Sequence, residues 1–279
     1  MPTPSQVPPR LSLILPVFND ARRIAANVRA VIGELDTLEH PFEVLVVCDG
    51  SSDGTAEAAQ EVADARVRVL HYPVNAGKGW AVLHGFAEAR GRLVGFLDAD
   101  LDIAPSAIIE AVHRFDLETV DAVVGSKRHP ASRVRYPATR RLYSWGFQLV
   151  VAALFRVNVR DTQVGAKVFR REMIDVVAPL LLVKRHAFDL ELLAVGAEFG
   201  FDRIVESPVE LNYGFSSTSI NWRAVLKMVQ DTLAIAYRIH LRHWYVRQFA
   251  TLQRRRMDGA AAQALKHEGE LAGRVPSSG

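Results

Sequence analysis

The stretch Leu93-Val94-Gly95-Phe96-Leu97-Asp98-Ala99-Asp100-Leu101-Asp102 decides the fold class of this chain. Val94 to Leu97 is apolar and uncharged, the composition of a strand buried on both faces of a parallel sheet. Three carboxylates follow at alternate positions, Asp98, Asp100 and Asp102. A chain that stays extended past the strand end places all three on one side. Like charges so close repel, and a cation among them relieves the repulsion. Hard divalent ions take oxygen ligands, and Mg²⁺ commonly uses one or two carboxylates plus substrate phosphates. The competing reading is three solvated acids in a loop that leads to a helix, with Pro105 in its first turn. The carboxyl end of a buried strand is where α/β sheets bind ligands, and that position favours the metal.

The segments on either side extend the pattern. Strands are expected at Leu11–Phe18, Phe42–Cys48, Val67–Tyr72 and Asp121–Gly125, in addition to the central one. Helices are expected from about Ala21 to Leu38, over Thr55–Ala65, from the glycines at Gly77-Lys78-Gly79 through Ala89, and over Pro105–Leu117. Regular alternation of strand and helix argues a doubly wound, mostly parallel sheet flanked by helices. Within that class the loops discriminate. Pro16-Val17-Phe18-Asn19-Asp20 follows the first strand, where a dinucleotide-binding fold needs Gly-x-Gly-x-x-Gly. A Walker-type phosphate loop is also absent from the sequence. Gly77-Lys78-Gly79 at a helix start suits a phosphate, met by backbone N–H groups and the lysine; a flexible loop with a solvated lysine is the alternative.

Composition sets outer bounds. Hydrophobic residues at 49% and charged residues at 23% describe an ordinary globular chain, and 279 residues allow one large domain or a domain with an appendage. A single cysteine, Cys48, excludes an internal disulfide framework and fits a reducing compartment. Met1 to Arg10 has no apolar core of the signal-peptide kind, and the apolar run Leu142–Phe155 is shorter than the ~20 residues that span a bilayer.

Basic residues are unevenly spread. Lys127 to Arg141 holds lysine and arginine and no acid, a solvated basic loop or a grip for an anionic group. Arg140 and Ser144 lie four apart, so on a helix they reach the same phosphate. The segment 221–256 is also basic. In it Trp222, Leu226, Val229, Leu233, Tyr237, Leu241 and Trp244 recur at helical spacing. Such an amphipathic helix suits either an anionic membrane surface or packing on the sheet. The expected organisation is a flexible start over 1–10, the main domain over 11–220, this helix over 221–256 and a disordered tail over 257–279.

Taken together and in order, the motifs resemble family 2 glycosyltransferases with the GT-A fold. The motifs are Pro16 to Asp20, Val47-Cys48-Asp49-Gly50-Ser51-Ser52-Asp53-Gly54, Asn75 to Gly79 and Asp98-Ala99-Asp100. Gly125-Ser126-Lys127, Asp161-Thr162-Gln163-Val164-Gly165-Ala166-Lys167 and Phe188-Asp189-Leu190-Glu191 are similar to the polyprenyl-phosphate branch, closest to dolichyl-phosphate glucosyltransferases. The sequence departs from the family at Cys48, Ala166 and Asp102.

The resemblance implies an inverting transfer from a nucleotide-sugar, UDP-glucose, to a polyprenyl phosphate. It implies Mg²⁺ or Mn²⁺ held by Asp98, Asp100 and Asp102, and a donor site of Pro16, Val17, Asn19, Asp49, Lys78, Asp98 and Asp100. It also implies Asp161, Gln163 and Asp189 at the reacting sugar, and Lys127, Arg140 and Ser144 on the acceptor phosphate. An ion pair of Asp189 and Glu191 with Lys184 or Arg185 is the competing explanation for that acidic pair. The corresponding placement is cytoplasmic, peripheral at the inner face of the membrane. Two alternatives remain open: a soluble phosphorylated or hydroxylated acceptor, and a non-catalytic sugar-nucleotide-binding protein. Nucleic acid is not an expected partner, since the basic segments lack a base-stacking platform.

Overall fold

Seven strands form one mixed sheet in the computed structural model, which describes residues 8–132, 146, 148–155, 157, 159–184, 187–211, 222–255 and 257–258. They are β1 (Leu11–Val17), β2 (Phe42–Asp49), β3 (Val67–Tyr72), β4 (Leu93–Leu97), β5 (Ala122–Ser126), β6 (Ala166–Arg170) and β7 (Ile204–Pro208). Their order is β3-β2-β1-β4-β6-β5-β7. Every neighbouring pair is parallel except those made by β6, which runs antiparallel to both β4 and β5.

The sheet is covered on both faces, which explains why β2 and β4 are buried along their whole length and show no polar alternation. Leu11, Leu13, Leu15 and Val17 of β1 join a core with α1 (Ile24–Leu35), α2 (Thr55–Gln60) and α4 (Ser106–Leu117). Ile14, one residue out of phase, faces Gly85 of α3 (Lys78–Glu88) instead. The helices α5 (Arg171–Val177) and α6 (Phe188–Glu198) follow β6, and Phe188 packs against Gly79 at the start of α3. A fully buried Val, Leu or Ile contributes about 1.5–3 kcal/mol relative to exposure, so this two-sided core dominates stability.

All five strands expected from the sequence are present, with α1 and α2 shorter than expected. The expectation of a doubly wound, mostly parallel sheet holds. Strands β6 and β7 were not legible, since Lys167 interrupts the first and Glu206 and Pro208 the second. The order of β1 and β4 makes their carboxyl ends the topological switch point of the sheet. Because β6 runs backwards, its first residue lies at that same edge.

The C-terminal segment differs from the single helix expected over 221–256. The chain divides into two units, one ending at Ala236 and the other beginning at Tyr237. In the first unit, α7 (Trp222–Ala236) packs on α6 and buries Thr232, Ile235 and Ala236. Leu226, Val229 and Leu233 of α7 remain exposed. In the second, a wide π-type turn over Tyr237–Leu241 and a left-handed His243 (φ 44) precede another helix, in which Trp244 packs edge-on against Tyr245. Among the described residues no helix is long and apolar enough to cross a membrane.

Gly50 closes β2 with φ +64, and a Cβ there would lie 2.2 Å from the backbone nitrogen of Asn75. Gly50→Ala is therefore expected to cost about 1–3 kcal/mol from conformation alone, with the clash added. Urea unfolding of the two proteins measures it; an unchanged midpoint would show that the 74–75 loop yields freely.

Candidate active site

The loops that leave the carboxyl ends of the strands are tied to one another through main-chain groups. Asn19, held at φ 49, receives a hydrogen bond from the Ser52 N–H at 2.9 Å and donates its own N–H to Ser51 Oγ at 3.0 Å. Thr55 Oγ1 accepts from the Asp20 N–H, and Asp53 accepts from the Ala21 and Thr55 N–H groups. Pro16 and Val17 end β1 beside this lattice, paired with Val47 and Cys48.

Asp49, buried at the end of β2, organises the next loop. Its carboxylate accepts from the Tyr72 hydroxyl at 2.9 Å, the Ala76 N–H at 2.7 Å and the Gly77 N–H at 2.8 Å. Burial and this carboxylate push the Tyr72 phenol far above its ordinary value. Asp49 thus fixes the loop that delivers Lys78, and three of its roughly four lone-pair positions are taken. Cys48 beside it is a packing residue: burial raises its thiol to about 11, which leaves no thiolate for chemistry.

Lys78 is the first residue of α3 and places its ammonium 2.5 Å from Asp98 Oδ1, over the face of Phe96. Burial opposes the charge on Lys78, and the carboxylates of Asp98, Asp189 and Asp100 outweigh it, so the ammonium is held above its usual range. Burial raises the Asp98 carboxyl against the pull of Lys78, with Asp100 and Asp189 pushing the same way. The backbone then turns. The Leu101 N–H donates to the Asp98 carbonyl, Leu101 sits at φ 54, and the Asp102 N–H donates to Asp100 Oδ1 at 3.1 Å. This corrects the extended geometry expected for the three aspartates: a turn, rather than a strand extension, carries Asp100 and Asp102.

The second signature meets the first here. The Asp98 N–H donates to the Gly165 carbonyl at 2.9 Å, and a Cβ on Gly165 would stand 1.8 Å from Asp98 Oδ2. Two residues on, Lys167 is fully buried in β6. Its ammonium lies 2.7 Å from Asp189 Oδ1, donates to the Val164 carbonyl at 2.5 Å and faces Phe96 from 5.2 Å. Burial lowers Lys167 from its ordinary value and Asp189 opposes that. The pair explains Asp189 without Lys184, which instead stacks its ammonium over Trp80. Glu191, also fully buried, accepts the Leu182 and Val183 N–H groups at 2.9 and 2.7 Å. Of the ion pair considered for Asp189 and Glu191, Asp189 takes Lys167 in place of Lys184, and the other expected partner, Arg185, lies outside the described residues. Sequence reasoning missed Lys167 as a member of the site; its signal is a lysine set between the apolar residues Ala166, Val168 and Phe169.

Asp161 is raised by burial, against the Gln163 N–H that it accepts and the nearby charges of Lys127 and Lys167. Gln163 is exposed, and its amide reaches Met228 Sδ on α7 at 2.7 Å. Lys127 follows β5 at the same edge, with Arg128 donating to the Arg160 carbonyl. The expected partners Arg140 and Ser144, like Arg185, lie outside the described residues.

A divalent ion fits the donor set in one way. Among the described residues no three acidic, histidine or cysteine groups converge on a point, so the protein supplies no closed cage. Oxygen ligands from Asp98 and the exposed Asp100 suit a hard ion that completes its shell with phosphate oxygens and water.

Known proteins share the sequence pattern and the fold of this chain. The family model described as glycosyl transferase family 2 matches residues 12–177. A dolichyl-phosphate beta-glucosyltransferase of Trichomonas vaginalis is 31% identical over 89% of this chain and 76% of the relative. The human dolichyl-phosphate beta-glucosyltransferase is 30% identical over 86% of this chain and 78% of the relative. Among solved structures, glucosyl-3-phosphoglycerate synthase of Mycobacterium tuberculosis, in complex with Mn²⁺, UDP-glucose and phosphoglyceric acid, superposes with a TM-score of 0.62. It does so at 18% identity, over 82% of this chain and 80% of that one.

Gly165→Ala drives a methyl group into the Asp98 carboxylate while leaving the β6 backbone able to pair. The variant is expected to melt as a cooperative fold and to lose activity about a hundredfold, the scale of a 1 Å misplacement at a reacting centre. Thermal melts beside a glycosyl-transfer assay check it, and full activity would mean that the Asp98 position is not critical.

Proposed function

The chain belongs to glycosyl transferase family 2, and from that premise we propose that it moves glucose from UDP-glucose to a polyprenyl phosphate, with inversion at the anomeric carbon. The observation that carries this reading is the contact of Asp98 with Gly165, which joins the Asp98-Ala99-Asp100 motif to the Asp161–Lys167 signature at one strand edge. The named glucosyltransferase relatives support the sugar and the lipid phosphate.

In this reading the base lies beside Pro16, Val17, Asn19 and Asp49, and Lys78 meets the diphosphate. Asp98 and Asp100 would hold Mg²⁺ or Mn²⁺, which supplies Lewis-acid stabilisation of the departing diphosphate. Asp161 and Gln163 orient the transferred sugar, with Asp189 behind them. The acceptor's phosphate has a second pKa near 6, so at neutral pH it is mostly a dianion and needs no protein base. Its oxygen attacks the anomeric carbon, the bond to the diphosphate oxygen breaks, and the electron pair leaves with UDP. The chain's task is then to hold the phosphate in line, and Lys127, with Arg140 and Ser144, supplies the charge and the donors for that.

The acceptor also brings a membrane. The apolar stripe Leu226, Val229 and Leu233 is exposed on α7, and the second unit carries Arg238, Arg242, Arg247, Arg254 and Arg255 with Asp258 as its one described acid. Near an anionic surface each such cation is worth about 1 kcal/mol and is screened by salt. We place the protein peripherally, at the cytoplasmic face.

Radiolabelled UDP-glucose and other sugar nucleotides, offered with short-chain polyprenyl phosphate or with phosphoglyceric acid, test the acceptor. Label from UDP-glucose is expected in the organic phase only with the lipid phosphate, lost in EDTA and restored by Mg²⁺ or Mn²⁺. Transfer to phosphoglyceric acid alone would replace the lipid by a soluble acceptor. For the surface, co-sedimentation with anionic vesicles is expected at low salt and release at high salt. Leu226→Glu/Leu233→Glu is expected to weaken it severalfold; binding that ignores both salt and this substitution would remove the membrane from the account.

A further inference from the structure

Three carboxylates, Asp98, Asp100 and Asp189, and two ammonium groups, Lys78 and Lys167, act on one another at the end of β4, and the two ammonium groups are unlike in their freedom. Lys167 has no exposure, and its hydrogen bonds to Asp189 and the Val164 carbonyl hold it in place. Lys78 has 35% of its side chain exposed and, among the described residues, one ion-pair partner, Asp98. Its backbone is fixed on both sides: the Gly77 N–H is bound to Asp49, and the Gly79 N–H donates to the Lys184 carbonyl at 3.0 Å. The stem is therefore anchored while the ammonium, on four flexible methylenes, is able to swing.

We propose that Lys78 is an exchangeable counter-ion: without donor it occupies the Asp98 carboxylate and opposes a divalent cation there, and it leaves for the donor's diphosphate. This rests on the reading that the site takes a nucleotide diphosphate with a divalent ion. Two cations compete for carboxylates that cannot neutralise both. A second anion resolves the competition, since the diphosphate attracts Lys78 and also adds oxygen ligands for the metal. Metal and nucleotide then strengthen each other's binding, and by linkage the factor is the same in both directions. The metal on its own binds weakly, which keeps the carboxylates from being claimed before a donor is present.

Binding of Mn²⁺ followed by its electron paramagnetic resonance signal reads this directly, with and without UDP, after subtraction of the Mn²⁺–UDP complex in buffer. For the full-length chain, Mn²⁺ alone is expected to bind weakly and Mn²⁺ with UDP tightly. Lys78→Met is expected to bind Mn²⁺ alone about tenfold more tightly than the parent, with a smaller enhancement by UDP. Lys78→Arg, which keeps the charge, is expected to behave as the parent, and circular dichroism checks that each variant is folded. Should Lys78→Met bind Mn²⁺ alone no more tightly than the parent, Lys78 is not the competing cation, whatever the metal does in the presence of UDP. If no form binds Mn²⁺ even with UDP, the metal reading itself falls and takes this one with it.

Discussion

A charge buried without a partner costs several kcal/mol, and that constraint organises the upper half of this molecule. Lys167 enters the face of the sheet and requires Asp189, which fixes the start of α6 against β6. Glu191, two residues further along α6, accepts from the main chain of residues 182 and 183 and so holds the segment that leads into α6. Asp49 does the same for the loop before α3, and that loop sets where Lys78 starts. Satisfying these groups aligns two helix starts, those of α3 and α6, around Asp98. The same requirement runs along the opposite edge of the sheet, where Ser12, Glu43 and the Arg90 N–H share one buried network.

Much of the first half of the fold was legible, for physical reasons that differ by element. Strands β1, β2 and β4 are runs of apolar residues too short for buried helices and bounded by turn residues. The helix starts after Gly54 and Gly77 were marked by glycines that adopt positive φ. The antiparallel strand was hidden because Ala166-Lys167-Val168-Phe169-Arg170 carries a cation at its second position, and a single sequence gives no reason to bury it. Strand β7 was hidden by Glu206, whose carboxylate accepts the Arg160 N–H at 2.5 Å.

The site was legible as residue types and illegible as geometry. Aspartates at alternate positions imply a shared side only if the backbone stays extended, and the left-handed Leu101 ends that condition. Asp49 reads as a turn residue or a ligand, and only the structure shows how many of its lone pairs the chain itself uses. The single C-terminal helix failed for a related reason. Apolar spacing fixes which residues share a helical face, but not which face is covered: α7 buries Thr232 and Ile235 and leaves Leu226 and Leu233 outside.

Gly165 has a consequence for how the chain assembles. Strand β6 pairs with Leu97 through Ala166, and the residue before that pairing is the one that lies under the Asp98 carboxylate. A slip of one position along β4 would bring Val164 or Ala166 to that place, and either side chain would collide with the carboxylate. The slip would also turn Lys167 to the opposite face of the sheet, away from Asp189. The pocket that admits Asp98 thus works as a proofreading step: the antiparallel strand seats in one register, the one in which a missing methyl group meets a carboxylate.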